Sequence, residues 1–282
     1  LLLVVAAAGV LLTGVYSLQA VIRSNRAEYD EWCAEEIARF ENRYMEKCYK
    51  VQSIMLACGY NENIQRLLTG TAESPYEVLT PVYDMEQSMI KLIYKYTRLD
   101  DSLLDAYIRG SDNRLYSYIV YGNEDNLHQF MEESGGAETE CVSDIFEMGN
   151  YRCFALSEPV WMQEDTRMEY PLSHDRRIGT SIFTVKADFM QEELDDISRG
   201  EQNAFLLNAD GEVMLRAQVQ RQISESLMEK IRGWKIRRNG ADTMQAGGYA
   251  FNGKCINEEG WRLVVATQER HRDFYHVGTL GW

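Results

Sequence analysis

Residues 203–217 read NAFLLNADGEVMLRA, and residues 103–121 read LLDAYIRGSDNRLYSYIVY. In each stretch, two runs of alternating apolar residues flank a cluster of Gly, Asp, Asn or Ser, which predicts a β-hairpin. The two stretches align without a gap in the pairs Ala106 on Ala204, Ile108 on Leu206, Asp112 on Asp210, Asn113 on Gly211 and Leu115 on Val213. Asn and Gly both tolerate positive φ, so the turn chemistry agrees with the register. The sequence therefore predicts an internal duplication; the alternative is that two unrelated hairpins share this common pattern.

Each predicted hairpin is followed by a helical segment and by further strands. We expect a helix at 124–133 and strands at 151–161 and 177–186 after the first hairpin, and a helix at 223–231 and strands at 249–255 and 261–267 after the second. Residues 187–197 form an amphipathic connector between the two halves. The fold class predicted from this order is α+β, with two small antiparallel sheet modules that carry helices on one side.

The N-terminal segment, residues 1–22, contains no charged side chain. About 20 apolar residues are enough to span the hydrocarbon core of a bilayer, so we predict a transmembrane helix here. A secretory signal peptide is the alternative, but this apolar stretch is longer than a usual signal core and no cleavage site follows it.

A long helix follows the apolar segment. Apolar residues recur at steps of three and four, which is the spacing of one helical face: Tyr29, Cys33, Ile37, Phe40, Tyr44, Cys48, Val51, Met55 and Cys58. No Gly or Pro interrupts the pattern before Gly59. We therefore predict a stalk helix whose apolar face packs under a sheet module or pairs with a second copy in a homodimer.

These patterns predict five segments along the chain. They are a transmembrane helix at 1–22, a stalk at 23–70, a membrane-distal module at 71–186, a membrane-proximal module at 187–270 and the start of a second membrane span at 271–282. A short helix is expected at 62–68 after the break at Gly59, and within the first module a longer helix is expected to begin near Pro81. The last segment is proposed because residues 274–282, FYHVGTLGW, turn apolar directly after the charged run 269–273.

The charge of the chain limits its partners. It has 29 basic and 44 acidic residues and a formal net charge of −15. An acidic body without a basic cluster argues against nucleic acid as a partner. The six cysteines lack the spacing of a zinc site or a thioredoxin motif. We expect Cys33, Cys48 and Cys58 to be buried in the helix, while a disulfide between Cys141 and Cys153 stays open.

Motifs of catalysis are absent from the sequence. It contains no phosphate-binding loop, dinucleotide fingerprint, hydrolase nucleophile elbow or zinc-protease motif. The four histidines are too scattered for a metal cluster, and nothing indicates a cofactor. The sequence therefore predicts a binding module that is not an enzyme.

A small-molecule site needs aromatic walls and a few well-placed polar groups. The first module offers both on its predicted strands. The candidate ligand-binding residues are Tyr116, Tyr118, Arg152, Trp161 and Arg177. The alternative for each of them is an ordinary core or surface position of a sheet.

With these features placed, the chain resembles the extracytoplasmic double-Cache sensor region of a bacterial transmembrane receptor, most of all that of YesM-type sensor histidine kinases. The resemblance lies in the order of short segments, namely ENIQRLLTG at 62–70, LSEPV at 156–160, IGTSIFTV at 178–185, AFLLNADGEVM at 204–214 and GWRLVVATQ at 260–268. The R-x-W-Y signature of amino-acid-binding members is not evident, because Arg152 is followed by Cys153 and Phe154. A sugar or another metabolite is therefore as open as an amino acid.

The resemblance implies two PAS-like modules, a ligand site in the membrane-distal one, a homodimer and a location at the cell membrane with the main domain outside the cytoplasm. Ligand binding would shift the dimer between two arrangements and move the membrane helices. The alternatives are the sensor region of a transmembrane AraC-type regulator or of a chemoreceptor, and a membrane-anchored scaffold or enzyme without signalling output.

Overall fold

The structure is a computed structural model of the chain. It describes residues 2–70, 82–84, 86–91, 94, 102–111, 115–119, 141–162, 176–198, 202–218, 223–237 and 240–273, with the side chains of 2–8 and 117–119 left out. The chain divides into two compact units. We call residues 1–42 and 191–282 the terminal unit, and residues 43–190 the central unit. Each unit holds one of the two predicted sheets together with part of the first helix.

Helix α1 (Leu2–Gly59) is 58 residues long and confirms the predicted helical stripe. All nine stripe residues, from Tyr29 to Cys58, are buried. Residues 2–22 belong to the same helix. In the part of the chain that the structure describes, however, no helix is both long enough and apolar enough to cross a membrane.

The break after Gly59 and the short helix predicted at 62–68 are confirmed. Helix α1 ends at Gly59, and α2 (Glu62–Thr69) begins after Asn61, whose side-chain oxygen accepts hydrogen bonds from the backbone N–H groups of Asn63 and Ile64. This is a side-chain N-cap, which satisfies donors that a helix start leaves unpaired. Residues 82–84 and 86–91 are also helical, in agreement with the helix predicted near Pro81. The helix predicted at 124–133 lies outside the described residues.

The central unit contains an antiparallel sheet whose main path has the order β2-β1-β6-β5-β3, with β4 paired to β5. Its strands are β1 (Leu103–Gly110), β2 (Leu115–Ile119), β3 (Cys141–Val142), β4 (Phe146–Met148), β5 (Tyr151–Trp161) and β6 (Arg177–Lys186). The first hairpin is confirmed, and β5 and β6 have the predicted bounds. The two short strands β3 and β4 were not predicted.

The terminal unit contains a five-stranded antiparallel sheet of order β8-β7-β11-β10-β9. Its strands are β7 (Asn203–Leu207), β8 (Val213–Arg216), β9 (Asp242–Ala246), β10 (Tyr249–Cys255) and β11 (Arg262–Gln268). Counted along the chain, both sheets place their strands in the order second, first, last, next-to-last. This shared topology supports the predicted duplication, and Gly211 in the second hairpin adopts φ of 88° as its turn position requires.

Three more helices complete the described structure: α3 (Asp188–Ile197), α4 (Glu225–Arg232) and α5 (Glu269–Asp273). Helix α4 packs Leu227 and Ile231 against Phe205, Phe251 and Val264 of the terminal sheet. These buried apolar contacts form one hydrophobic core of that unit.

Polar contacts hold α5 against α1 in the terminal unit. Arg26 of α1 forms a two-pronged ion pair with Asp273, with Nε to Oδ1 at 2.5 Å and the second guanidinium nitrogen to Oδ2 at 3.2 Å. The Asn25 amide donates to the Asp273 carbonyl at 2.8 Å. One turn further, Arg272 pairs with Asp30. The last described helix is therefore fastened to the first by charge and hydrogen bonding.

The cysteines are free thiols throughout the structure. Cys33, Cys48 and Cys58 are buried, as predicted. The disulfide considered between Cys141 and Cys153 is absent, because in the ladder Cys141 pairs with Ser157 and Cys153 with Phe146.

Candidate ligand-binding site

One face of the central sheet is covered by α1. The rings of Tyr44 and Phe154 lie 6.0 Å apart, and the Gln52 amide donates to Glu158 at 3.1 Å. Phe154 and Glu158 are four residues apart on β5, and residues separated by an even number point to the same side of a strand. This face therefore belongs to the packing of the unit.

The opposite face of the same sheet carries an unusual set of buried polar residues. Residues directly opposite each other in antiparallel strands share a face. The register pairs Asp105 with Thr184, Tyr107 with Ile182, Ile182 with Ser157, and Arg109 with Thr180. This surface, which we call the polar face, thus collects the buried side chains Asp105, Tyr107, Ser157, Thr180 and Thr184.

Some groups of the polar face satisfy one another. The Thr184 hydroxyl accepts from the Asp105 backbone N–H at 3.0 Å and donates to the Asp105 carbonyl at 3.3 Å. The Ser157 hydroxyl lies 3.0 Å from the Cys141 thiol. These bonds fix the side chains in the sheet, so the face is rigid where they occur.

Tyr107 stands apart from this pattern. Its phenolic oxygen is buried and makes no hydrogen bond of full geometry with a described residue, but the Asp105 side chain lies near enough to interact with it. Burial raises the pKa of Tyr107, and the nearby carboxylate of Asp105 raises it further. Burial, followed by the same carboxylate, raises the pKa of the Cys153 thiol to about 12. The face therefore presents a neutral phenol beside an acidic group in a region shielded from water, which is an arrangement suited to binding a polar molecule.

Two of the predicted site residues lie together at one end of this sheet. Trp161 and Arg177 pair across β5 and β6, next to a bulge between Val160 and Trp161. The Arg177 Nε donates to the Gly179 carbonyl at 3.2 Å, and its guanidinium also bonds the Thr180 hydroxyl. Because Thr180 belongs to the polar face, Arg177 reaches that face. Trp161, which is partly exposed, is the residue that pairs with Arg177 in the ladder.

The other three predicted residues lie elsewhere. By register, Tyr116 pairs with Ile108 and Tyr118 with Ala106, positions that belong to the α1-covered side. Strand β2 is three strand spacings from β5, roughly 14 Å. Arg152 is exposed at the opposite end of β5 from Trp161, roughly 30 Å away along the strand.

The residues at the centre of the polar face are not among the candidates from the sequence. Asp105 and Tyr107 lie in the run LLDAYIRG, whose alternation indicates only a hairpin strand. The one indication in the sequence is an acidic residue in the middle of an otherwise apolar strand. Burying a carboxylate costs free energy unless it is paired or hydrogen-bonded, so such a residue is a candidate for a functional role. Within the described ranges, no group of three or more His, Cys, Asp or Glu side chains could hold a metal ion.

No family model and no curated protein matches the sequence. Solved structures do match it. The extracellular domain of vpHK1S-Z8, named as a histidine kinase, aligns with a TM-score of 0.53 and 9% identity over 92% of this chain and 99% of its own. The ligand-binding domain of the Campylobacter jejuni chemoreceptor Tlp3, in complex with L-valine, aligns with a TM-score of 0.55 and 8% identity over 90% and 98%.

A third example is the ligand-binding domain of the Pseudomonas fluorescens chemoreceptor CtaA, in complex with L-isoleucine. It aligns with a TM-score of 0.53 and 11% identity over 89% of this chain and 96% of its own. At such low identities the likeness concerns the fold. It shows that the helices and two antiparallel sheets of this chain have the fold of these extracellular and ligand-binding domains. The assignment to the YesM type stays a prediction.

Proposed function

We propose that this chain is the extracytoplasmic ligand-sensing domain of a bacterial transmembrane receptor, of the sensor histidine kinase type, and that its ligand binds at the polar face of the central sheet. The receptor would sense a small polar metabolite and pass a conformational signal to an output domain. In this role the chain performs recognition and no catalysis.

The observation that carries the proposal is the set of buried polar side chains on the sheet face opposite α1. Five polar residues on a face of one small sheet are costly to bury, and such groups are retained where they position a ligand. Arg177 and Trp161 extend the set with a cation and an aromatic surface at its edge. A molecule with both polar and apolar parts fits this combination.

Calorimetric titration against a panel of amino acids, amines, sugars and organic acids tests the proposal. Tyr107→Phe and Arg177→Met should each weaken binding of the hit at least about tenfold, the loss expected for one or two buried hydrogen bonds. Tyr116→Phe and Arg152→Met are the matched controls on the other face and at the far end of β5. Equal effects of all four variants, or none from the first two, would remove the site from the polar face.

We further propose that residues 1–22 attach the chain to a membrane. The support is the absence of charge in this segment together with strongly exposed apolar side chains on its helix, namely Val10, Leu11, Leu12, Val15, Tyr16, Leu18 and Val21. Flotation with liposomes should recover the whole chain in the lipid fraction and leave a chain starting at Arg23 in the soluble fraction. Equal recovery of both forms would contradict the attachment.

A homodimer completes the proposed receptor. In the central unit, Tyr49 and Leu56 of α1 and Tyr60, which directly follows the helix, are exposed. They are seven and four residues apart, a spacing that places them on one side of the helix. We propose that this side meets a second copy. Sedimentation should give a dimeric mass that falls to a monomeric one in Leu56→Lys, whereas Lys50→Glu, on a neighbouring part of the same helix, should leave the dimer intact.

A further inference from the structure

The side-chain amide of Gln65 joins two parts of the central unit. From α2, its Nε2 donates to the carbonyl of Gly59 at 2.6 Å and to the carbonyl of Trp161 at 2.8 Å. Both partners are acceptors, so the nitrogen must face them and the orientation of the amide is fixed. The side chain is about nine-tenths buried, which shields both bonds from water.

Each of the two carbonyls lies at a place where regular pairing ends. Gly59 is the last residue of α1, and the final carbonyls of a helix lack partners within the helix. Trp161 follows the bulge in β5, where the ladder shifts register. A bulge leaves backbone groups without their usual partners and redirects the side chain next to it. Gln65 therefore binds a helix end and a redirected strand end with one rigid group.

We propose that Gln65 is a positioning residue that sets the Trp161 indole at the edge of the polar face and couples it to the C-terminal turn of α1. When the Trp161 carbonyl moves, the Gln65 amide that is bonded to it moves as well. The hydrogen bond from the same amide to the Gly59 carbonyl then changes, and with it the stability of the last turn of α1. The inference rests on the proposed function in that Trp161 borders the ligand site. It assigns to Gln65 the first link between that site and the long helix.

The coupling can be measured without any ligand. The chain is labelled with 5-fluorotryptophan, and Trp161→Phe identifies the Trp161 signal among the five tryptophans in the fluorine NMR spectrum. Hydrogen exchange is followed at the amides of Tyr60 and Asn61, which bond the carbonyls of Leu56 and Cys58 in the last turn of α1. Both readouts are recorded for the wild type, Gln65→Met and the control Gln52→Met, which removes another glutamine contact to β5.

We expect Gln65→Met to shift the Trp161 fluorine signal and to speed exchange at Tyr60 and Asn61 about fivefold, the effect of one lost hydrogen bond. Gln52→Met should leave the Trp161 signal in place. In addition, Trp161→Ala should change exchange at Tyr60 and Asn61 in the wild type and have no such effect in the Gln65→Met background.

Three results would each overturn the coupling. The Trp161 fluorine signal could stay unmoved in Gln65→Met, or it could shift equally in Gln52→Met. Trp161→Ala could also still change exchange at Tyr60 and Asn61 in the Gln65→Met background. If Gln65→Met loses its dispersed signals, Gln65→Asn replaces it, because the shorter side chain keeps the amide but cannot reach both carbonyls. Failure of the ligand titrations leaves these results unaffected, so the two proposals are tested separately.

Discussion

The two ion pairs that fasten α5 to α1 should differ in energy, and their burial says which is larger. Asp30→Asn removes the charge that faces Arg272, whose side chain is only 10% exposed, whereas Asp273→Asn removes the partner of Arg26, which is 41% exposed. A buried guanidinium that loses its carboxylate cannot turn to water, while an exposed one can. We therefore expect a loss of about 2–3 kcal/mol for Asp30→Asn and about 1 kcal/mol or less for Asp273→Asn.

Native-state hydrogen exchange is the suitable assay, because a chain with two units need not unfold in one step. Amides of β11, which precedes α5 directly, report the opening of the terminal unit. A loss of 2–3 kcal/mol corresponds to roughly 30- to 150-fold faster exchange there, and the loss in Asp273→Asn to about fivefold or less. Amides of β5 in the central unit serve as the internal control.

The reasoning from burial is refuted if Asp273→Asn speeds exchange in β11 as much as Asp30→Asn does. A double variant provides a second check. If the two pairs act independently, the free-energy losses should add within about 0.5 kcal/mol. A much smaller combined loss would mean that the pairs form one cooperative unit.

Three further outcomes follow from particular side chains. Burial raises the pKa of the Cys58 thiol from 9.0 to about 12, so the thiol ionises at lower pH in the unfolded chain than in the folded one. The contribution of Cys58 to folding stability is therefore complete below pH 9 and falls as the pH rises. Cys58→Ala should reduce the loss of stability between pH 9 and 11 by about 1.4 kcal/mol per pH unit. An unchanged slope in denaturant unfolding would contradict this. A Cβ on Gly253 would lie 2.5 Å from Ile236 Cδ1 and 2.9 Å from Trp234 Cζ3. Gly253→Ala should therefore lower the midpoint of thermal unfolding by several degrees. An unaltered midpoint would show that these two side chains can move away without cost. Tyr107→Phe should change the stability of the ligand-free chain by no more than about 1 kcal/mol, since the buried hydroxyl has no hydrogen bond of full geometry and only Asp105 interacts with it. A loss of about 2 kcal/mol or more in denaturant unfolding would mean that the hydroxyl makes a full hydrogen bond.

Elements with a strong period were predictable from the sequence. The stripe on α1 repeats over eight turns, and the runs of β5, β6 and β10 are long and rich in residues that favour strands, so their bounds agree closely with the structure. Such segments carry enough repeated signal for local preference and burial to coincide. The break at Gly59 was also visible, because glycine often follows the last turn of a helix.

Short or polar elements were not predictable in this way. Strands β3 and β4 have two and three residues, and β9 reads DTMQA, so none presents a period. Their pairing is decided by neighbours that are distant in sequence. Such a strand forms because the edge of a neighbouring strand offers hydrogen-bond partners, and its own residues have little intrinsic preference for a strand.

The candidate site shows the same limit. Tyrosine and arginine content indicated the first sheet module, but the residues that share a face of a sheet depend on the strand register, which the sequence did not reveal. Tyr116 and Tyr107 both lie on the first hairpin, yet the ladder puts them on opposite sides of the sheet. Only the paired register brings Asp105, Thr184 and Ser157, which come from three strands, onto one surface.

Along the chain, the central unit is an insertion between two stretches of the terminal unit, since residues 43–190 interrupt 1–42 and 191–282. Under the proposed function, ligand specificity belongs to one continuous segment of the chain, residues 43–190, and replacing that segment leaves both terminal stretches intact. The two junctions, at residues 42–43 and 190–191, lie inside the helices α1 and α3. A replacement segment from a protein of the same fold therefore has to continue both helices with the same rotational phase. A receptor built in this way can acquire a new stimulus by exchange of one internal segment.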